Sequence, residues 1–225
     1  MSIKEHTPGI FFININGEVL LCTRNLSPGR KVYGEPLIKV KGVEYRSWNP
    51  TRSKLGAAIM KGLVNNPIKP GLNVLYLGVA SGTTCSHVAD ILGSGGHVWG
   101  VDFAPRPLRD LIDNVARYWK NISPILGDAR QPNSYSYQIP KVDVIFMDVA
   151  QPDQAEILVK NARIFLKPKC YAILAIKSRS IDVNREPSEI YASQVEILKK
   201  SGFDILEVIE LDPFEKDHAM AIVKY

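Results

Sequence analysis

The sequence predicts an α/β fold: a mostly parallel sheet with helices on both faces, preceded by a small N-terminal β-hairpin region. Three observations predict it. After Gly71, seven apolar runs of strand length recur; segments of helical length separate most of them; and before Asn49 there is no helical period, only short runs broken by turn residues.

The elements follow in order. Ile10 to Ile15 and Val19 to Cys22 flank Asn16-Gly17, a pair that readily takes the positive φ angles of a type I′ turn, and a second hairpin turns at Lys41-Gly42. Pro50 opens a helix expected over Thr51 to Val64, with Leu55, Ala58, Ile59 and Leu63 on one face and Asn65-Asn66-Pro67 as its stop. Strands are then expected at Val74 to Leu77, Val98 to Val101, Ile122 to Leu126, Val142 to Met147, Tyr171 to Ile176, Ile205 to Ile209 and Ala219 to Val223. Helices centred on His87, Leu111 and Leu158 alternate with the first of these, and Tyr135 to Ile139 is a less regular connection. A further helix spans Pro187 to Lys200. The last two strands lack a crossover helix, so they are expected to form an antiparallel pair. Residues 1–50 thus read as a hairpin domain and 51–225 as the α/β domain.

Composition narrows the function classes. The 225 residues, 45% hydrophobic and 23% charged, are ordinary for a globular chain and exclude collagen-like, fibrous and disordered classes. A net charge of +5 favours anionic partners without naming one. The three cysteines, Cys22, Cys85 and Cys170, form no CxxC pair, which argues against a disulfide framework and a cysteine zinc site and for a reducing compartment. The start of the chain has no apolar signal-peptide core, and no run is long and apolar enough to span a membrane. No metal site is expected.

In a doubly wound sheet, ligands bind outside the carboxyl ends of the strands. After the first parallel strand come Gly78, Val79, Ala80, Ser81, Gly82, Thr83 and Thr84. These small residues admit a ligand close to the backbone and exceed what a plain turn requires. Asp102, followed by Phe103, ends the second strand, where a carboxylate accepts from both hydroxyls of a ribose. Gly78 and Gly82 have three residues between them, so the GxGxxG dinucleotide pattern fails and a nucleoside cofactor without a pyrophosphate fits better. At the third strand's end Asp128, with Ala129, stands equally for an adenine-amine acceptor or for a surface pair with Arg130. The fourth strand ends in Asp148-Val149-Ala150-Gln151-Pro152-Asp153-Gln154, where Asp148 is the catalytic candidate and Asp153 the helix cap. Lys177 closes the fifth strand, either as a partly desolvated base or as a lysine that snorkels to solvent. His87 and His97 read as structural.

Taken together, Tyr45 to Leu55, Tyr76 to Thr84, Val142 to Gln154 and Asp217-His218-Ala219 resemble the signature blocks of the fibrillarin family, over nearly the whole chain. The resemblance implies a class I S-adenosylmethionine-dependent methyltransferase fold, Rossmann-like with a seven-stranded sheet, and RNA ribose 2′-O-methylation of rRNA and tRNA. It implies cofactor contacts at the Gly78, Ala80 and Gly82 turn, at Thr83 and Thr84, at Asp102 and Phe103, at Asp128 and Ala129, and at Asp148, Val149, Ala150 and Gln151. The family's Lys-Asp-Lys-His set falls on Lys54, Asp148, Lys177 and His218. Where the family usually has glutamate and alanine, this chain has Asp102 and Val79. The eukaryotic glycine- and arginine-rich tail does not precede the hairpins, which implies the archaeal form.

The implied partners are a box C/D guide RNA, a Nop-domain scaffold protein and a kink-turn-binding ribosomal-type protein, in the cytoplasm. Arg24, Arg30, Lys31, Arg46, Arg52, Arg130 and Arg179 are candidate RNA contacts, each equally readable as a solvated charge. The rival readings are a small-molecule or protein methyltransferase on the same fold, a non-catalytic RNA-binding assembly subunit, and a nicotinamide-dependent dehydrogenase, which the missing GxGxxG disfavours.

Overall fold

Alternation of apolar and polar side chains folds the start of the chain into an antiparallel sheet. In the computed structural model, which describes residues 1–225, its strands are β1 (Ser2–Thr7), β2 (Ile10–Ile15), β3 (Glu18–Arg24), β4 (Leu37–Val40) and β5 (Val43–Ser47), in the order β1-β2-β3-β5-β4. Both expected hairpins form: Ile15 pairs with Glu18 and Val40 with Val43, so Asn16-Gly17 and Lys41-Gly42 are two-residue turns, all at positive φ. β1 was not expected. Its Ser-Ile-Lys-Glu-His-Thr sequence is mostly exposed and has no apolar face, and pairing with β2 is what makes it a strand.

The single helix expected over Thr51 to Val64 is corrected to two pieces. A 3-10 turn, Pro50–Arg52, stops at Ser53, whose backbone is extended, and α1 runs only over Lys54–Met60. Capping is the cause. Asn49 Oδ1 accepts from Thr51 N at 2.9 Å and Ser53 Oγ from Gly56 N at 3.2 Å, each replacing a helical bond with a local one. Gly62, at φ +93°, turns the chain away soon after Met60. Lys54 is thereby placed at the first position of α1.

The α/β part comprises β6 (Asn73–Leu77), α2 (Thr83–Leu92), β7 (His97–Asp102), α3 (Pro105–Leu111), β8 (Ile122–Leu126), β9 (Val142–Met147), α4 (Gln154–Phe165), β10 (Leu166–Lys177), α5 (Ser178–Ile181), α6 (Pro187–Lys200), β11 (Asp204–Glu210) and β12 (His218–Lys224). The sheet order is β11-β12-β10-β9-β6-β7-β8. β6 to β10 are mutually parallel, and β12 lies antiparallel to both β10 and β11. β10 starts at Leu166 rather than Tyr171, with a break in register between the two.

Because strand side chains alternate, one sheet face presents Val74, Tyr76 and Phe146 to α1, α2, the N-terminal sheet residues Ile10 and Leu21, and Trp48 just after β5. The other face presents Leu75, Ile145 and Leu174 to Leu158 and Phe165 of α4 and Leu198 of α6. Each such side chain contributes roughly 1.5–3 kcal/mol when fully buried. Strand order reverses at β6, which neighbours β7 on one side and β9 on the other, so a crevice opens at the carboxyl ends of β6 and β9.

Candidate active site

The crevice is built by backbones that pass unusually close. A Cβ on Gly78 (φ +78°) would lie 2.4 Å from Asp148 O, so only glycine lets the ends of β6 and β9 meet there. The following turn wraps the end of β7: Asp102 Oδ2 accepts from Ala80 N at 2.8 Å and Oδ1 from Ala104 N at 2.9 Å. Each carboxylate oxygen keeps a further lone pair, and Asp102 lines the cavity.

That cavity encloses about 250 Å³. Gly78, Ala80, Asp102 and Phe103 form one side, Asp128 and Ala129 the far end, and Asp148, Val149, Ala150 and Gln151 the other side. Phe103, 68% exposed, stands in the cavity lining, a position suited to cover a flat base. Gly82, Thr83 and Thr84 stand off the cavity lining. Thr84 Oγ1 donates to Ser53 Oγ at 2.9 Å, and Gly82 packs against Leu111 of α3, where a Cβ would come within 2.4 Å of Leu111 Cδ1.

The surface pair expected of Asp128 forms. Asp128 lines the cavity and is also gripped by Arg130, whose guanidinium, at 2.7 Å, holds the carboxyl below the usual carboxylate range. The two cations of the lining, Arg130 and Lys177, are each paired with a carboxylate, so none is free for a pyrophosphate. A carboxylate with spare lone pairs, an uncovered aromatic ring and apolar walls from Ala129, Val149 and Ile157 fit a nucleoside cofactor without phosphates.

At one side of this cavity the structure brings Lys54, Asp148 and Lys177 together. Lys177 Nζ lies 2.8 Å from Asp148 Oδ1 and Lys54 Nζ lies 3.3 Å from Oδ2. Burial pushes the Asp148 carboxyl up, but the two ammonium groups outweigh it and hold the group below its ordinary value, so it is ionised at neutral pH. His218 is the register partner of Lys177 across the β10 and β12 ladder, which puts both side chains on one face. Its Nδ1 meets Lys216 O at 2.6 Å. A carbonyl cannot donate, so Nδ1 carries the proton and Nε2 has the lone pair in the neutral ring. Ser178 holds this corner, donating from N and Oγ to Asp217 O at 3.2 and 2.9 Å.

Two expectations are corrected. Asp153 precedes α4 but makes no capping bond; Gln194 of α6 does so instead, its Oε1 accepting from Ala155 N at 3.0 Å. Arg46 is no RNA contact, because its side chain is fully buried between the N-terminal sheet and α2. It pairs with Glu35 at 2.9 Å and Asp90 at 3.6 Å and donates to Ser86 Oγ at 2.8 Å. His87 lies in the same network between Thr23 and Tyr33, and burial lowers its pKa so that it stays neutral. Nothing local in sequence separates Arg46 from Arg24, Arg30, Lys31, Arg52, Arg130 and Arg179, all of which are exposed.

A sequence model of the family described as Fibrillarin matches residues 1–225. A "Fibrillarin-like rRNA/tRNA 2'-O-methyltransferase" from Thermococcus onnurineus is 55% identical, with 100% of this chain and 99% of the relative aligned. The solved structure of Aeropyrum pernix fibrillarin with natively bound S-adenosyl-L-methionine superposes with a TM-score of 0.92 at 49% identity, covering 99% of this chain and 98% of that one. A chain from a fibrillarin/Nop5p complex superposes with a TM-score of 0.88 at 37% identity, covering 99% of this chain and 100% of its own.

Proposed function

The chain belongs to the fibrillarin family, and from that premise we propose how its residues bind the cofactor and methylate RNA. It is an S-adenosylmethionine-dependent enzyme with the corresponding methyltransferase fold, and it methylates the ribose 2′ oxygen of rRNA and tRNA. A Nop-domain protein is its scaffold partner. The observation that carries the mechanism is the Lys54, Asp148 and Lys177 ion triad beside the cavity.

Asp102 would hold the cofactor's ribose hydroxyls, Phe103 and Ala129 its base, Asp128 the exocyclic amine, and the 148–151 turn the remainder. When bound, S-adenosylmethionine supplies an electrophilic methyl group on a sulfonium, a leaving group that needs little assistance. The protein's contribution is therefore mainly orientation, which is worth roughly 7 to 11 kcal/mol when reacting groups are held in line. Lys177, held by Asp148 at 2.8 Å, accepts or polarises the 2′ hydroxyl proton, which leaves the oxygen as its bond to the methyl carbon forms and the sulfur–methyl bond breaks. Lys54 balances the second oxygen of Asp148 and, with His218, positions the ribose and its neighbouring phosphate.

Asp102→Asn removes the charge but keeps the shape. The expected result is a cofactor Kd raised roughly 10- to 100-fold in calorimetric titration, since hydrogen bonds to a charged group contribute about 1.5–3 kcal/mol. A Kd within twofold of wild type would place the ribose elsewhere.

A domain of this size has little means of choosing one nucleotide in duplex RNA, whose base edges lie in a deep, narrow groove. We assign that choice to a box C/D guide RNA, with a kink-turn-binding ribosomal-type protein completing the particle. Residues 1–50 are read as a hairpin unit that serves the scaffold contact and 51–225 as the methyltransferase unit. No helix is long and apolar enough to cross a membrane, and a cytoplasmic site of action is proposed.

A further inference from the structure

The last register pair between β9 and β10 joins Met147 to Leu174, so Lys177 lies beyond its neighbouring strand. Its main chain is nonetheless held on that side. Gln154 Oε1 accepts from Lys177 N at 3.0 Å, and Gln154 Nε2 donates to Lys177 O at 3.2 Å. A side-chain amide carries the same donor and acceptor as a peptide unit, so Gln154 continues the sheet where β9 has ended. It is fully buried and is the first residue of α4, whose next amide is fixed by Gln194. On the opposite side β12 pairs Lys177 with His218. The lysine main chain is thus bonded to Gln154 on one side, its neighbour Ser178 is bonded to Asp217 on the other, and its ammonium reaches Asp148.

We propose that Gln154 is a positioning residue for methyl transfer: by clamping both main-chain groups of Lys177, it sets where Lys177 Nζ stands relative to Asp148 and the attacking 2′ oxygen. The inference rests on the role given to Lys177 above. Misplacing a reacting group by about 1 Å lowers rates about 100-fold.

The test is single-turnover labelled methyl transfer by the assembled particle at saturating cofactor and RNA, with cofactor Kd measured in parallel. Gln154→Leu removes both bonds at similar volume and is expected to slow transfer about 10- to 100-fold while cofactor Kd stays within about twofold. Gln154→Glu keeps the acceptor for Lys177 N and is expected to recover part of the rate; it carries the same test if the leucine variant does not fold. In a Lys177→Met background either change is expected to have no further effect, because the group being positioned is gone. An equal fold-loss in both backgrounds, or a loss carried by cofactor Kd, would overturn the proposal. Lys177→Met at the wild-type rate would instead overturn the role of Lys177 itself, a result distinguishable from failure of Gln154 alone.

Discussion

Asp148→Asn is expected to slow methyl transfer by about 100-fold or more, the effect typical of removing one preorganised electrostatic group from an active site. The carboxylate stands between two ammonium groups, 2.8 Å from Lys177 and 3.3 Å from Lys54. Asparagine keeps the volume and the backbone but leaves the two cations to repel each other across a partly buried site. Cofactor affinity is expected to change much less, since the partners of the carboxylate are Lys54 and Lys177. Single-turnover transfer and calorimetric titration on the same variant check both halves. The sign of its pH dependence follows from the depressed carboxyl: the stability it contributes is present above the unfolded value of 3.8 and is lost only as pH falls through the lower folded value. Mild acidification therefore leaves the triad charged. A variant that transfers methyl groups within threefold of wild type would show that the triad is structural.

The second large effect concerns stability. Arg46→Ala is expected to destabilise the protein by about 3–5 kcal/mol, because it leaves Glu35 and Asp90 buried without their cation. For a chain of this size that lowers Tm by roughly 6 to 20 °C. Burial already pushes the Asp90 carboxyl up, and Arg46 is the group that most opposes this. Ser86, His87 and Asp90 all lie on α2, which starts directly after the turn that follows β6, so the network ties the N-terminal sheet to the helix that ends that turn. Differential scanning calorimetry checks the shift, and a change below about 2 °C would mean that the buried ion cluster contributes nothing net.

Much of the fold was legible because buried parallel strands read as apolar runs and because Asn16-Gly17 and Lys41-Gly42 demand the turn angles found there. The misreadings share one cause, namely local pattern overruled by a specific partner. The apolar period across Thr51 to Val64 runs straight through Ser53, yet the serine hydroxyl caps α1 and breaks it. β1 has no pattern of its own and exists by pairing with β2. In the site, residues at strand ends could be read from topology, which is why Asp102, Asp128, Asp148 and Lys177 converge on one cavity. Lys54 and His218 could not be, since α1 and β12 join that corner through long-range packing, and they came from the family resemblance alone. Gln154 and Arg46 were opaque for the same reason: what buries a polar side chain is a partner distant in sequence.

The proposed mechanism is guided transfer of a methyl group to a ribose 2′ oxygen by the Lys54, Asp148, Lys177 and His218 corner. It is tested most directly by labelled methyl transfer from S-adenosylmethionine in the reconstituted guide-RNA particle, comparing a target whose selected nucleotide carries a 2′ hydroxyl with one that is 2′-deoxy. Label on the hydroxyl target alone is the predicted result; equal label on both would move the acceptor to a base and contradict the mechanism.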